Sequence, residues 1–280
     1  MRVWFVLLVS CFDLLAQGSM GVGLRNVACL QAMNPVLYPT QVSGLFMWLS
    51  ADSGVHKDTG GTLCTADSDP VVKWVDQSGN GNDVGQTGGK NPKYRPTAMN
   101  GLPGLAFFSS QTFACTNWLT NAFSATLQIP YTVFIVYYFT NATDNWNPVV
   151  WSGYSAKSPG MIMGDGGYQG HVTFRSGGSA QYGWFGLQSK QWYQSTFIYN
   201  NSNSFGLSFA SKYLQFAVPQ NGWTNVLFGG YQSANPVNSP NESFIGMIAE
   251  FVVFSREVSS TERYGVEMYL KRKYALQEPF

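Results

Sequence analysis

One polar stretch of the sequence has the spacing of a metal-binding loop. Asp76, Ser78 and Asn80 place side-chain oxygens at loop positions 1, 3 and 5, and Gly81 occupies position 6. These are the oxygen positions and the glycine of the first half of an EF-hand calcium loop. The stretch therefore makes Ca²⁺ a candidate cofactor.

The second half of the same stretch departs from that pattern. Position 9 is Val84, and position 12 is Thr87 where a calcium loop has a glutamate that binds through both carboxylate oxygens. Asp83 could supply part of the missing charge, so the candidate calcium ligands are Asp76, Ser78, Asn80 and Asp83. The alternative is a turn in which Asp, Ser and Asn side chains bond the following backbone N–H groups without a metal. The sequence favours this self-bonded turn.

A second set of candidate residues consists of aromatic side chains in segments rich in glycine and asparagine. Such segments predict turns, in which a large ring is hard to bury. Sugars have flat C–H faces that stack on aromatic rings, while amides and hydroxyls can bind their OH groups. The candidate ligand-binding residues are Trp146, Tyr168, Trp184 and Trp223. The alternative for each tryptophan taken singly is a place in the core.

The carboxylates of the sequence are not spaced for glycoside hydrolysis. A retaining glycosidase needs two carboxyl groups about 5–5.5 Å apart, and a strand can present such a pair because alternate side chains share one face. Asp67 and Asp69 have this spacing but lie in a predicted loop, and Glu250 is the sole carboxylate in a confidently predicted strand. We therefore expect no catalytic residues and no enzyme activity of this kind.

Other catalytic patterns are also missing from the sequence. His56 and His171 do not have the spacing of zinc ligands, and residues 177–181 (GGSAQ) fall one residue short of G-x-S-x-G. His171 with Arg175 could serve a polysaccharide lyase, but a histidine in a strand is more often a packing residue. A polysaccharide-cleaving enzyme, either hydrolase or lyase, is therefore only the third hypothesis for function.

The elements that must position these residues are predicted to be β-strands. Residues 131–139 (YTVFIVYYF) are apolar on both faces, which predicts a central strand covered on both sides. Further short strands between Gly/Asn turns favour an antiparallel sandwich or barrel over a parallel α/β sheet. Residues 244–254 form the last predicted strand, and Ser259 with Glu262 begins a helix through a capping box.

Four segments of the chain match the motifs of one known superfamily. They are 48–55 (W-x-x-A-x-x-G-V), 74–83 (W-x-D-x-S-G-N-G-N-D), 95–107 (R-P-x₄-G-x-P-x₃-F) and the strand GMIAEFVVF at 246–254 with the helix after it. These motifs resemble the laminin-G-like branch of the concanavalin A-like lectin/glucanase superfamily. The resemblance implies an all-β, two-sheet antiparallel jelly-roll sandwich with a short C-terminal helix. The superfamily holds lectins and enzymes, but the E-x-D-x-E strand of its glucanases is missing here.

The same resemblance favours one disulfide bond, between Cys64 and Cys115, because each cysteine lies beside a matching segment. The alternative is a set of buried reduced thiols, which pack like small apolar side chains.

The first residues of the chain have the layout of a secretory signal. Met1–Ala16 begins with one basic residue and continues as a short apolar run. We expect a signal peptide at 1–18, a lead-in segment at 19–42 and one sandwich domain at 43–280, with no membrane span in the mature chain. The alternative for the first segment is an N-terminal strand packed on the sandwich.

The composition indicates a ligand without strong charge. Charged residues make up 11% of the 280 residues and the formal net charge is +1, which gives no electrostatic basis for binding nucleic acid or an anionic membrane. We therefore expect a secreted, non-catalytic, lectin-like domain that binds a glycan or a cell-surface partner. The alternative is a structural or adhesion module displayed on a particle or appendage.

Overall fold

The computed structural model describes fourteen stretches of the chain. They are residues 36–86, 88–107, 109–110, 114–115, 119–140, 147–152, 160–165, 168–176, 179–184, 188–201, 204–209, 212–216, 222–230 and 244–276. The expected signal peptide and most of the expected lead-in segment lie outside them.

The described residues form many strands and one α-helix. In chain order the strands are β1 (Leu45–Ser50), β2 (Val55–His56), β3 (Lys73–Trp74), β4 (Val84–Gly85), β5 (Lys93–Met99), β6 (Leu102–Phe107), β7 (Ser109–Ser110), β8 (Ala114–Cys115), β9 (Leu119–Leu127), β10 (Tyr131–Phe139), β11 (Asn147–Trp151), β12 (Gly160–Asp165), β13 (Tyr168–Ser176), β14 (Ser179–Trp184), β15 (Gln191–Asn201), β16 (Ser204–Phe209), β17 (Lys212–Phe216), β18 (Trp223–Phe228) and β19 (Gly246–Phe254). The helix, α1, spans Ser260–Tyr274 and follows β19 closely.

The strands build two large antiparallel sheets. The first sheet has the order β17–β16–β15–β10–β19–β6–β5, with β1 also paired to β19, and the second has the order β14–β13–β12–β11–β18–β9–β4–β3–β2. Strands β7 and β8 form a separate pair. The prediction of an all-β, two-sheet antiparallel sandwich with a short C-terminal helix is confirmed.

Strand β19 is the centre of the first sheet. One of its edges pairs with β10 along most of its length. Its other edge is shared by two strands: residues 246–248 pair with β6, and residues 250–254 pair with β1. Strands from the beginning, middle and end of the domain therefore meet on this one segment.

Strand β10 is buried on both faces, as its continuous apolar sequence predicts. Tyr131, Val133, Ile135 and Tyr137 belong to the core between the two sheets. Its intervening Phe134 and Val136 belong to a second apolar cluster on the opposite side of the first sheet. This second cluster is covered by α1, so the first sheet is the middle layer of three.

Helix α1 begins and packs as the sequence predicts. The Ser259 hydroxyl accepts a hydrogen bond from the Glu262 backbone N–H (3.3 Å), and the Glu262 carboxylate accepts one from the Ser259 N–H (2.8 Å). Val266, Leu270 and Tyr274 are buried against the first sheet. Among the described residues, no helix has the length and apolar character needed to cross a membrane.

The expected Cys64–Cys115 disulfide is wrong in this structure, because Cys64 carries a free thiol. The Cys64 side chain packs into the core, where its sulfur lies 3.7 Å from the Pro70 carbonyl oxygen. Cys115 lies in the separate pair of strands β7 and β8. Burial, followed by the nearby Asp69 carboxylate, raises the pKa of the Cys64 thiol to about 11.

The start of α1 predicts an acid-sensitive contribution to stability. The Arg256 guanidinium, with Nη2 2.6 Å from Glu262 Oε1, lowers the pKa of Glu262 from 4.5 to about 2. Because the folded pKa is depressed, this carboxylate contributes stability above about pH 4.5 and loses it as the pH falls towards about 2. We expect Glu262→Gln to be less stable than wild type at neutral pH and to lose less stability on acidification. Urea midpoints measured across this range test the prediction, and parallel pH curves for the two proteins would contradict it.

Candidate functional site

The loop that follows β3 is held by the carboxylate of Asp76. Its Oδ1 accepts the backbone N–H groups of Trp48 (2.8 Å) and Ser78 (2.9 Å). Its Oδ2 accepts the Ser78 hydroxyl (2.7 Å) and the Asn82 backbone N–H (3.0 Å). A carboxylate has about four lone-pair sites, so these four donors fill it while Asp76 is buried.

Other side chains of this loop bind the edge of β1 that faces away from β19. The amide Nδ2 of Asn80 donates to the Leu45 carbonyl oxygen, and the Nδ2 of Asn82 donates to that of Phe46, both at 2.8 Å. The loop therefore takes the place of a neighbouring strand. It covers backbone groups that would otherwise be open to pairing with another chain.

The geometry around the candidate calcium ligands is that of the self-bonded turn. Besides the four donors on Asp76, the Asp83 Oδ1 accepts the Asp76 backbone N–H (2.8 Å) and its Oδ2 lies 2.6 Å from the Lys73 ammonium. No group of three or more His, Cys, Asp or Glu side chains in the described part of the chain is arranged to hold a metal. The arrangement does not fit a cation at Asp76, and calcium binding by Asp76, Ser78, Asn80 and Asp83 stays a prediction.

The role of Asp76 predicts a large effect of its removal on stability. Each buried donor left without a partner costs about 1–3 kcal/mol, and Asp76→Ala removes the acceptor of three backbone N–H groups, those of Trp48, Ser78 and Asn82. We expect a loss of at least about 3 kcal/mol in the free energy of unfolding, measured by urea titration. The matched control is Asp58→Ala, which removes an exposed loop carboxylate that accepts the Thr62 backbone N–H. Equal, small losses in both variants would contradict the role assigned to Asp76.

The same two proteins test the calcium prediction. A ligand that binds only the folded state raises the Tm. Calcium binding at this loop requires that millimolar Ca²⁺ raise the Tm of wild type and that Asp76→Ala abolish the rise. A Tm that is the same in calcium and in chelator would leave only the self-bonded turn.

The placement of Trp223 in a polar turn is wrong. Trp223 is the first residue of β18, its side chain is 1% exposed, and its indole N–H donates to the Tyr131 hydroxyl at 2.8 Å. The ring also packs edge-on against Tyr131 and beside Phe251. Residues 220–224 contain turn formers, but the tryptophan that follows them starts a strand that faces the core. Its ring is therefore not exposed to stack on a ligand.

The other three candidate aromatic residues lie elsewhere. Tyr168 is the first residue of β13 and Trp184 is the last residue of β14, so both are in strands where the sequence predicts turns. Because β13 and β14 pair antiparallel, with Trp184 opposite His171, Tyr168 and Trp184 are at the same end of one hairpin. Trp146 lies outside the described residues.

Glu250 is the centre of a buried polar cluster that the sequence does not reveal. It lies in β19 and is fully buried. Its Oε1 accepts the Trp48 indole N–H (2.7 Å) and the Tyr269 hydroxyl (2.9 Å), and its Oε2 accepts the Lys273 ammonium and the Tyr274 hydroxyl, both at 2.8 Å. A single carboxylate inside an apolar strand does signal that buried partners are needed. Only the folded structure shows that these partners come from β1 and from α1.

The Lys273 ammonium connects this cluster to the protein surface. It also lies 3.0 Å from the Asp52 Oδ2 and 2.8 Å from the Ser50 hydroxyl. Burial raises the pKa of Asp52, but the hydrogen bond from Ser50 and the Lys273 charge outweigh burial and leave this pKa below its usual value. Every oxygen of Glu250 already accepts two donors, so the cluster has the chemistry of a structural link between sheet and helix.

The buried cluster predicts a strong dependence of stability on Lys273. Removing one partner of a buried ion pair costs about 3–5 kcal/mol because the other charge is left uncompensated. We expect a loss of this size for Lys273→Met and a small one for the control Arg272→Met, an exposed position on the same helix. The double variant Glu250→Gln/Lys273→Met should recover part of the loss, since it removes both charges. Additive losses in the double variant, measured by urea titration, would contradict the pairing.

A groove is open on the outer face of the second sheet, next to the loop of Asp76. Its volume is about 550 Å³, and it lies over β3, β4 and the start of β9. Thr59, Lys73, Asp83, Gln86 and Thr120 supply its polar lining. This size is in the range of small-molecule sites, which is about 300–1,000 Å³.

Comparison with known proteins supports the fold and leaves the family open. No family model and no curated protein matches the chain. The binding domain of botulinum neurotoxin DC, solved in complex with rat synaptotagmin II, superposes with a TM-score of 0.56 at 12% identity, covering 82% of this chain and 52% of that one. The serotype D binding domain gives 0.54 at 12% identity, with the same coverage.

A third similar structure is that of botulinum neurotoxin type C, described as dependent on two ganglioside molecules for cell entry. Its TM-score is 0.51 at 13% identity, covering 84% of this chain and 52% of that one. The chain therefore spans about half the length of the solved structures that it matches. At this identity the likeness shows a shared β-sandwich fold, and it does not single out the laminin-G-like branch.

Proposed function

We propose that this protein is a non-catalytic, lectin-like domain that binds glycans outside the cell. The observation that carries the proposal is the sandwich, which is shared with the binding domains of botulinum neurotoxins. One of those toxins depends on two ganglioside molecules for cell entry, and gangliosides carry sugar headgroups. A chain with only 11% charged residues also suits a ligand that is recognised through hydroxyl groups.

The surroundings of the described carboxylates support a role other than hydrolysis. Asp67, one of the two acids with glycosidase-like spacing, is bound by the Arg95 guanidinium at 2.6 Å. Asp69, the other, accepts the backbone N–H groups of Thr65 and Ala66, each at 3.0 Å. Both carboxylates therefore hold their own loop together.

The laminin-G-like branch is a finer part of the same proposal. It rests on the sequence motifs, and two of their residues have structural roles: the Trp48 indole N–H donates to Glu250, and the Trp74 indole N–H donates to the Ser50 carbonyl oxygen at 2.9 Å. Tyr168 and Trp184, at one end of the β13–β14 hairpin, remain candidate ligand-binding residues. Trp146 also remains a candidate, on its sequence alone.

A protein receptor is the second candidate partner. The specific observation in its favour is that one similar toxin domain was solved with synaptotagmin II bound. In this case the chain would recognise a protein surface and would show no affinity for isolated oligosaccharides.

The proposal is tested by applying the purified chain to an array of immobilised oligosaccharides and, in parallel, by incubating it with soluble β-glucans. We expect saturable binding to at least one class of oligosaccharide and no release of reducing ends, because the described residues form a groove and because Asp67 and Asp69 are engaged by other groups. Boiled protein is the control for adsorption. Sustained release of reducing ends would show an enzyme, and an array without any saturable binding would exclude the glycan-binding function.

A further inference from the structure

The groove on the second sheet exists because one residue on the outer face of this sheet is a glycine, Gly85. Lys73, Gly85 and Thr120 are opposite one another on β3, β4 and β9. Neighbouring Trp74 and Val84 are buried in the core between the sheets. Because side chains alternate along a strand, Lys73 and Thr120 lie on the outer face and have no side chain between them.

The packing around Gly85 keeps this position small. A Cβ atom at Gly85 would lie 3.0 Å from the Val72 carbonyl oxygen, which is closer than most Cβ contacts. A longer side chain is therefore disfavoured, and the depression over Gly85 is a fixed feature of the sheet. Lys73, Thr120, Thr59 and Gln86 form the walls around it.

The charges of the groove cancel within the protein. The Lys73 ammonium lies 2.6 Å from the Asp83 carboxylate, and this is the one cation and the one anion of the described lining. An anionic ligand would have to compete with Asp83 for Lys73. A neutral ligand with several hydroxyl groups can instead donate to the carboxylate and accept from the ammonium while the pair stays intact.

The remaining lining suits the other features of a sugar ring. Thr59 and Gln86 present a hydroxyl and an amide, which bind hydroxyl groups, and the partly exposed Val72 presents aliphatic surface to C–H groups. Asp83 is also held in place, because its Oδ1 accepts the Asp76 backbone N–H from the rigid loop. A fixed carboxylate loses little freedom when a ligand binds, which favours affinity.

We propose that this groove binds an uncharged sugar unit of an oligosaccharide, with Lys73 and Asp83 as its central polar contacts. The inference rests on the proposed glycan-binding function and assigns it a place and a ligand class. This site is different from the one expected for the loop aromatics. The groove lies towards the end of the second sheet formed by β9 and β2–β4, whereas the β13–β14 hairpin is at the other end of the same sheet.

The first experiment blocks the groove. Thr59→Trp places a large ring on the groove wall from an exposed loop position, and Thr65→Trp is the matched control at an exposed threonine outside the lining. Both variants and wild type are applied to an array that carries neutral oligosaccharides and their sialylated counterparts. We expect wild type and Thr65→Trp to bind neutral members with equal apparent Kd. Thr59→Trp should bind them at least about tenfold more weakly, which corresponds to about 1.4 kcal/mol.

The second experiment removes a polar contact without adding bulk. Gln86→Ala deletes an amide of the lining that accepts the Gly88 backbone N–H, and Gln128→Ala deletes an exposed amide that bonds the Thr126 carbonyl oxygen two residues away. Within the described part of the chain, each glutamine side chain bonds a residue two positions away, so neither change should move the Tm by much. We expect the Kd for the neutral array member to rise in Gln86→Ala alone.

Salt distinguishes a neutral ligand from an anionic one. Binding of an uncharged sugar should change little between about 0.05 and 0.5 M NaCl, whereas screening weakens the capture of an anion. Binding that requires the sialylated member, or that falls steeply with salt, overturns the neutral ligand class. Neutral binding that Thr59→Trp and Gln86→Ala leave intact overturns the groove but preserves the proposed function. The absence of any wild-type binding overturns both.

Discussion

Trp48 joins the loop of Asp76 to the buried polar cluster around Glu250. Its backbone N–H donates to Asp76, which organises the loop along one edge of β1, and its indole N–H donates to Glu250, which lies in β19 on the other side. The loop binds the edge of β1 that faces away from β19. The buried cluster of Glu250, Lys273 and the helix tyrosines binds β1 on the side of the sheet that α1 covers. A single residue thus sets the position of β1 relative to both the turn and the helix, and the groove over Gly85 lies beside that same turn.

The features that could be predicted from the sequence are those that depend on local chemistry. The apolar run of β10, the capping box at Ser259 and the loop of Asp76 all follow from alternation, helix-end hydrogen bonds and turn-forming residues, and the structure contains each one. Gly79 and Gly81 have φ of 85° and 73°, which is the conformation that the turn prediction requires.

The features that could not be predicted depend on contacts between distant segments. Nothing near Trp223 in the sequence shows that Tyr131 will accept its indole N–H, so its neighbouring turn formers mislead. The same holds for Glu250 and Lys273, whose pairing exists only when α1 covers the first sheet. The groove is even harder to predict from the sequence. A glycine in a strand indicates only a weak point in packing, and the depression over Gly85 forms only when β3, β4 and β9 are aligned around it.

Because β1, β6 and β10 all pair with β19, the first sheet cannot be completed during synthesis until this last strand has been made. Trp48 and Glu250 are separated by 202 positions in the sequence. At a synthesis rate of roughly 5–20 residues per second, β1 waits roughly 10–40 s on the ribosome before its partner strand exists. During that time the loop of residues 76–82, which is synthesised soon after β1, can cover the edge of β1 that faces away from β19. The turn therefore halves the strand edge that β1 exposes during synthesis, and the edge that stays unpaired is the one that β19 later fills.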